Sequence, residues 1–471
     1  MTGTELWRLG ACEIAELLRI GACSAQEVTE AAVTRMRAVN PGLNAVVDDL
    51  GDAAMDEAAT LDAKMADRGP VGLLHGVPVT VKINIDQKGR ATSNGVAAFR
   101  DIVATEDSPV VRNLRNAGAI IIGRTNTPEF SFRPSTDNPA FGRTVNPWNE
   151  KKSPGGSSGG AAVAVISGMG ALAHGNDLGG SLRYPAAATG AVTVKPGLGR
   201  VPACNPSARK ERGLLAQLMS AQGVLGREVR DVRLGLNALM AYDPRDPWMV
   251  PLGLETGLPK LPRRVAIARD GLGFGLHPSV DQALTTAARA LAAAGYEVEE
   301  LEPPHVRECG DFGFRALMTE SLALMRDDMT THGSGAINRI FHDHLAVFPP
   351  FAGDEMLQAM GQRSRFVRDW QLFLEHHPLV LTPFLLHPIH DWNRDAEGVQ
   401  GAREVLGRGQ YSFAINFLGL PAGHVTAGFH EGMPVGVQIV GRRFREDMIL
   451  DALGAIEAQV GPAAPRLGLG D

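Results

Sequence analysis

Two glycine–serine turns hold the densest concentration of chemistry-capable residues in this chain. The first is Ser153-Pro154-Gly155-Gly156-Ser157-Ser158-Gly159-Gly160, and the second is Gly175-Asn176-Asp177-Leu178-Gly179-Gly180-Ser181. Hydroxyls supply nucleophiles and proton relays, and runs of glycine let bare backbone N–H groups approach a charged atom. Taken alone, each turn reads as a tight loop or a phosphate nest. A phosphate-binding P-loop needs GxxxxGK[ST] after a strand. Neither turn contains a lysine, and Glu150-Lys151-Lys152 is no strand. The spacing GxSxG around Ser157 or Ser158 would suit the nucleophile elbow of an α/β-hydrolase. That elbow requires an apolar strand directly before it and a later catalytic histidine. The preceding NPWNEKKSPGG is polar and broken by proline, so the elbow is set aside.

The elements that must position these turns alternate in type. Gly159–Ser167 is apolar and small on every face, which predicts a buried helix between the two turns. Pro78–Ile83 is a short β-rich run carrying Lys82. Ser108–Ala117 has helical character and leads into a buried-strand pattern at Ala119–Ile122, closed by Gly123; Val192–Val194 is a further strand. Strand, helix and strand in alternation predict an α/β fold. Upstream, residues 4–40 read as two short helices. The second starts at a Ser24/Glu27 capping box and ends at Asn40-Pro41, and another helix is expected at 52–67. Residues 228–400 are more helical, with helices expected at 280–294, 312–327 and 353–375 and returning strands at 295–298 and 378–381. Pro434–Val440 reads as a strand, 444–459 as a last helix and 461–471 as a loose tail. The expected division is a helical segment at 1–70, a core with the turns at 71–227, a helical substrate-pocket region at 228–400, and the end of the core sheet with the last helix at 401–471.

Composition excludes several classes. The 471 residues, 44% hydrophobic, can bury a large core, and the net charge of −6 contains no basic stripe of the kind nucleic-acid binding requires. Cys12, Cys23, Cys204 and Cys309 are scattered and form no CxxC pair, so reduced thiols are expected. No secretory leader pattern opens the chain, and the most apolar stretch, 160–173, is too short to span a bilayer. A soluble cytoplasmic protein is expected, without nucleic-acid or membrane partners; the expected assembly is a homodimer. The 55 glycines exceed an ordinary ~7% share and cluster at 155–200 beside apolar residues.

GGSSGG, then DLGGSLRYP with 24 positions from Ser157 to Ser181, and a lysine upstream in GVPVTVKINID, together resemble the amidase signature family. The likeness continues through GRTNTPEF, NPWN, VKPGLGRVP and GLPAG…PVGVQIVG, from about residue 4 to 460. It implies that family's fold, a central mixed β-sheet covered by helices on both faces. It also implies an amidohydrolase that needs no cofactor and no metal. By the same resemblance Ser181 is the nucleophile, Ser157 a bridging serine after a cis peptide bond, and Lys82 the base. Backbone N–H groups of Leu178, Gly179, Gly180 and Ser181 would form the oxyanion hole, Asp177 and Arg183 would brace the turn, and Ser158 would support it. Two positions depart from the family pattern: Ile83 stands where many members have aspartate, and Gly175-Asn176-Asp177 where many read GTD.

That chemistry has a physical requirement. A serine hydroxyl attacks an amide only if a base takes its proton, and lysine is a base only when neutral. A free lysine titrates near ~10.4, and bringing it down by about 3 pH units costs roughly 4 kcal/mol, supplied by burial. Val79, Val81, Ile83 and Ile85 surround Lys82 in sequence and fit a desolvated setting. The pocket is expected from 125–145 and 312–395, with Phe130, Phe132, Phe314, Phe341 and Trp392 as candidates and Trp370 and Phe384 considered beside them; most aromatics are core. Thirteen histidines include His342/His344, His376/His377 and His387/His390, but no HExxH motif accompanies them. They are expected at solvated helix ends and loops, with room for one in the pocket. The expected substrate is a small amide of aryl, anilide or urea type. The alternative is the A subunit of a glutamine-dependent tRNA amidotransferase.

Overall fold

A computed structural model describes residues 3–468 except 209, 256, 258 and 260. Its frame is one mixed sheet of 11 strands. In chain order these are β1 (Val46–Asp49), β2 (Pro78–Lys82), β3 (Ile120–Thr125), β4 (Leu172–Asp177), β5 (Val192–Lys195) and β6 (Ala221–Gly226). Then follow β7 (Arg264–Ile267), β8 (Glu297–Glu300), β9 (Leu379–Pro383), β10 (Ala422–His430) and β11 (Met433–Gly441). Their spatial order is β1-β3-β2-β4-β6-β5-β10-β11-β9-β7-β8. β2 runs parallel to both β3 and β4, whereas β4 through β9 pair antiparallel across the middle of the sheet.

Both faces are covered, because successive strand residues point to opposite sides. On β4, Leu172 joins a cluster with Val232 and Leu236, while its neighbour Ala173 joins Ala161, Ala162 and Val165. The second group comes from the helix Gly159–Ile166, all eight residues of which are buried. The expected fold class, α/β with a mixed sheet between helices, is the one observed.

Several boundaries differ from the sequence expectation for identifiable reasons. The helix that starts at the Ser24/Glu27 capping box continues through Pro41 to Leu43, because the last turn closes on Asn44 in the left-handed region, whose N–H reaches Asn40 O. Gly123 does not end β3. It lies inside the strand, where an added Cβ would come within 2.6 Å of Val46 Cγ1 and prevent β1 from docking. Strand β4 was not anticipated: its sequence LAHGND is poor in β-formers, and pairing on both sides holds it. Strands β1, β6 and β7 were likewise unmarked in the sequence pattern.

This frame sets the two turns at strand ends. Lys82 is the last residue of β2 and Asp177 the last of β4, two adjacent parallel strands, which is where α/β sheets place their ligand sites. The helix Gly159–Ile166 starts immediately after Ser157-Ser158, and the helix Arg183–Thr189 immediately after Ser181-Leu182. Gly160 lets the first of these helices approach. A Cβ there would sit 2.5 Å from Asn126 N and 2.6 Å from Ala45 O, both backbone atoms. Gly160→Ala is therefore expected to destabilise the chain by about 1–3 kcal/mol. Gly361→Ala, in an exposed helical position with nothing nearby, should be neutral or stabilise by up to about 1 kcal/mol. Urea unfolding of the two variants checks the contrast.

Candidate active site

Lys82 is fully buried, and its Nζ lies 2.7 Å from Ser157 Oγ, 2.8 Å from Asn176 Oδ1 and 3.1 Å from Ser158 Oγ. None of the three partners carries a charge. Burial pushes the ammonium pKa well below its ordinary value, and the more distant Asp177 carboxylate offsets only part of that. Asn176 is held in turn by Asn84, which accepts from Asn176 Nδ2 at 3.0 Å, and Asn84 donates to Ser131 Oγ at 3.0 Å. Arg124, buried on β3, donates to Ile85 O at 2.8 Å and Ala91 O at 2.5 Å, fixing the chain just beyond Lys82.

The two turns are locked together. Ser158 N donates to Ser181 O at 3.2 Å, and Ser158 Oγ donates to Asn176 O at 3.2 Å. The Gly156–Ser157 peptide bond is cis. Asp177 and Arg183 form a wholly buried bidentate pair at 2.9 and 3.0 Å. Arg183 also donates to Gln438 Oε1 and Asn416 Oδ1, and Asn416 Nδ2 donates to Asp177 Oδ1 at 2.9 Å. Burial opposes ionisation of Asp177, but the Arg183 guanidinium overcomes it and brings the carboxyl down to about 2. The expected brace is thus present.

One expected donor is already occupied. Gly180 N–H donates to Asp177 Oδ1 at 2.7 Å and so points away from the cleft. Gly180 is required for its conformation instead. Its φ is +114°, and a Cβ would meet Ser412 Oγ at 2.5 Å and Tyr184 Cδ2 at 2.7 Å. Among the described hydrogen bonds, none uses the N–H of Leu178, Gly179 or Ser181.

Two cavities meet at Ser181. One, of about 510 Å³, is lined by Phe132, Phe314, Met318, Leu406 and Phe413, and also by the charged residues Arg133, Lys210, Arg212, Glu320 and Asp327. The other, of about 800 Å³, contains Asn84, Asn176, Asn205, Gln217 and Gln222. Phe130, Ser131, Leu178 and Ser181 face both. Of the expected pocket aromatics, Phe130, Phe132 and Phe314 are in place. Phe341 is one layer out, edge-on to Phe132 at 5.5 Å. Trp392 lies elsewhere, under the Arg143 guanidinium at 4.0 Å, because its segment is pinned to the loop at Lys151. Trp370 is core, and Phe384 packs on Tyr184 behind Arg183.

Residues missed by sequence reasoning are Asn84 and Asn176 beside the lysine, the segment 210–216 that lines the cavities, and Leu406 and Phe413 from the C-terminal part. His344 and His390 are not solvated. His344 is 1% exposed on the aromatic cavity wall, stacked on Phe132 at 5.1 Å, and burial brings its pKa down to about 4. His390 is buried against Ser135 in the Arg133–Asp395 network, and burial likewise lowers it to about 4. Among the described residues no cluster of three or more His, Cys, Asp or Glu is arranged to hold a metal ion, and no helix is long and apolar enough to cross a membrane.

The sequence matches the Amidase family over residues 27–450. An indoleacetamide hydrolase of Bradyrhizobium diazoefficiens is 46% identical over 463 residues, covering 98% of this chain and 88% of that protein. The A subunit of a glutamyl-tRNA(Gln) amidotransferase from Heliobacterium modesticaldum is 29% identical, covering 99% of this chain and 100% of that protein. The crystal structure of a bacterial aryl acylamidase of the amidase signature family superposes with a TM-score of 0.83 at 28% identity, covering 98% of each chain. The chain belongs to the amidase family. It is an amidohydrolase acting on carbon–nitrogen bonds.

Removing the Asp177 carboxylate would leave Arg183 as a buried, uncompensated charge. Asp177→Ala is expected to lose about 3–5 kcal/mol of stability in urea unfolding. Because the carboxyl titrates lower when folded than its ordinary ~3.9 when unfolded, its contribution is present above about pH 4 and disappears as the pH falls towards 2. The acid-unfolding curve of wild type, compared with that of the variant, reads this difference.

Proposed function

We propose that the chain hydrolyses an aryl-substituted small carboxamide, of the arylacetamide class, through an acyl-Ser181 intermediate. Ser157 is the proton relay and Lys82 the base. The observation that carries this reading is the fully buried Lys82 amine, 2.7 Å from Ser157 and ringed by uncharged partners.

The proton inventory supports the direction of relay. A neutral amine has two N–H donors and one lone pair. Asn176 Oδ1 can only accept, and Ser158 Oγ already spends its proton on Asn176 O, so both take N–H from Lys82. The lone pair is left for the Ser157 hydroxyl. As Ser181 Oγ bonds to the carbonyl carbon, its proton passes to Ser157, and the Ser157 proton passes to Lys82. The N–H groups of Leu178, Gly179 and Ser181 receive the oxyanion; one such donor is worth about 3 kcal/mol in comparable sites. The C–N bond then breaks as Ser157 protonates the departing nitrogen and Lys82 returns the proton to Ser157. Water, activated by the same relay, releases the carboxylate and restores Ser181.

The aromatic cavity suits a planar apolar group, and the 46% relative is described as acting on indoleacetamide. The amidotransferase reading rests on relatives of 29–31% identity, against 46% for the indoleacetamide hydrolase. The purified chain alone should turn over arylacetamides faster than glutamine; glutaminase activity dependent on companion subunits would favour the other reading.

Ser181→Ala and Lys82→Ala should each lower kcat by about 10⁴-fold or more while the fold is retained. Since activity needs neutral Lys82 and burial lowers its pKa, the rate should fall as the pH drops through that pKa and hold on the alkaline side. A maximum in acid would contradict the base assignment. Activity should withstand EDTA, and a loss restored by zinc would reopen metal chemistry.

A further inference from the structure

The two cavities that meet at Ser181 differ in which catalytic groups they touch. Gly156, Gly179 and Tyr184 line the aromatic cavity, whereas Ser157, Asn176 and Asn84 line the polar one. An amide poised for attack has its oxygen at the turn N–H groups and its acyl substituent and nitrogen on opposite sides of the carbonyl carbon. The nitrogen must face the group that protonates it. With Ser157 as that group, a role that rests on the function proposed above, the nitrogen faces the polar cavity and the acyl group is directed into the aromatic one.

The polar side is far larger than ammonia requires. It is an open cleft of about 800 Å³, against roughly 10–15 Å³ for one water by the same measure. Its wall carries Ser220, Arg245 and Asp246 together with Asn205, Gln217 and Gln222, whose amides already bond within the protein and keep further donor and acceptor capacity. We infer that this cavity is a leaving-group site for amines bearing polar substituents, so that the chain also hydrolyses secondary arylacetamides such as amide-linked conjugates of an arylacetic acid with an amino acid or its amide. The bonds balance as for a primary amide. Ser181 Oγ–C forms, C–N breaks, the amine leaves with the proton from Ser157, and one water yields the arylacetic acid. The same geometry disfavours anilides of small acids, whose ring would occupy the polar side and leave the aromatic side empty.

Three substrates separate the outcomes on the purified full-length chain, with Ser181→Ala as background: phenylacetamide, N-phenylacetylglycinamide and acetanilide. The glycinamide conjugate should show kcat/KM within about tenfold of phenylacetamide, and acetanilide about 100-fold below it. Ser220→Leu, which narrows the polar cavity, should lower the conjugate-to-phenylacetamide ratio by about tenfold. Acetanilide cleaved as well as phenylacetamide would overturn the orientation while leaving the amidase reading intact. Turnover of phenylacetamide without the conjugate, or a ratio unmoved in Ser220→Leu, would overturn the leaving-group site. Failure of all three substrates would overturn the arylacetamide reading, and this inference with it.

Discussion

The site depends on keeping one primary amine out of water and away from any paired carboxylate. An exposed lysine is an ammonium at neutral pH and cannot take a proton. Lys82 escapes this by ending a central strand, so that β3 and β4 flank it and the buried helix Gly159–Ile166 begins beside it. The nearest acid, Asp177, is committed to Arg183 and does not form an ion pair with the lysine. Had an aspartate instead bonded to Nζ directly, it would have stabilised the charged form. The neutral ring of Ser157, Ser158 and Asn176 satisfies the amine without doing so.

That single requirement orders the rest. Small residues in the two turns and the helix between them let three backbone segments meet where side chains would collide. The Asp177–Arg183–Asn416–Gln438 network ties the second turn to the helix Gln410–Leu418 and to β11, elements remote in sequence. Those same C-terminal elements supply Phe413 to the aromatic cavity, so chemistry and substrate pocket share one support. The Arg133–Asp395 pair does the same for the first turn, since Gly156 packs on the backbone of Arg133 and Ser135.

Much of this was legible in the sequence, and unevenly. Lys82, Ser157 and Ser181 stood out because the order and spacing of the motifs around them resemble the amidase signature family, whereas each glycine turn alone reads as a loop. The buried helix between the turns was plain from composition, since Gly, Ala and Val on every face have no solvent-facing alternative. Strand β4 was not, because Gly175, Asn176 and Asp177 are chosen for the site and not for β propensity. The Gly180 N–H is an oxyanion donor by the family resemblance, and only the position of Asp177 Oδ1 reveals it as engaged. Pocket walls were the least readable part. Phe132 and Trp392 are equally aromatic in sequence, and tertiary contacts send one to the cavity and the other to Arg143.

The charge on Lys82 is the point at which the proposed chemistry is most directly exposed to test. Nitrogen NMR of protein labelled at lysine Nζ, with Lys82→Met to identify the resonance, reads it without any substrate. At pH 8 the Lys82 nitrogen should have the shift of a neutral amine and should convert to the ammonium shift only on acidification. An ammonium signal from Lys82 persisting at pH 8 would contradict the base role on which the site is built.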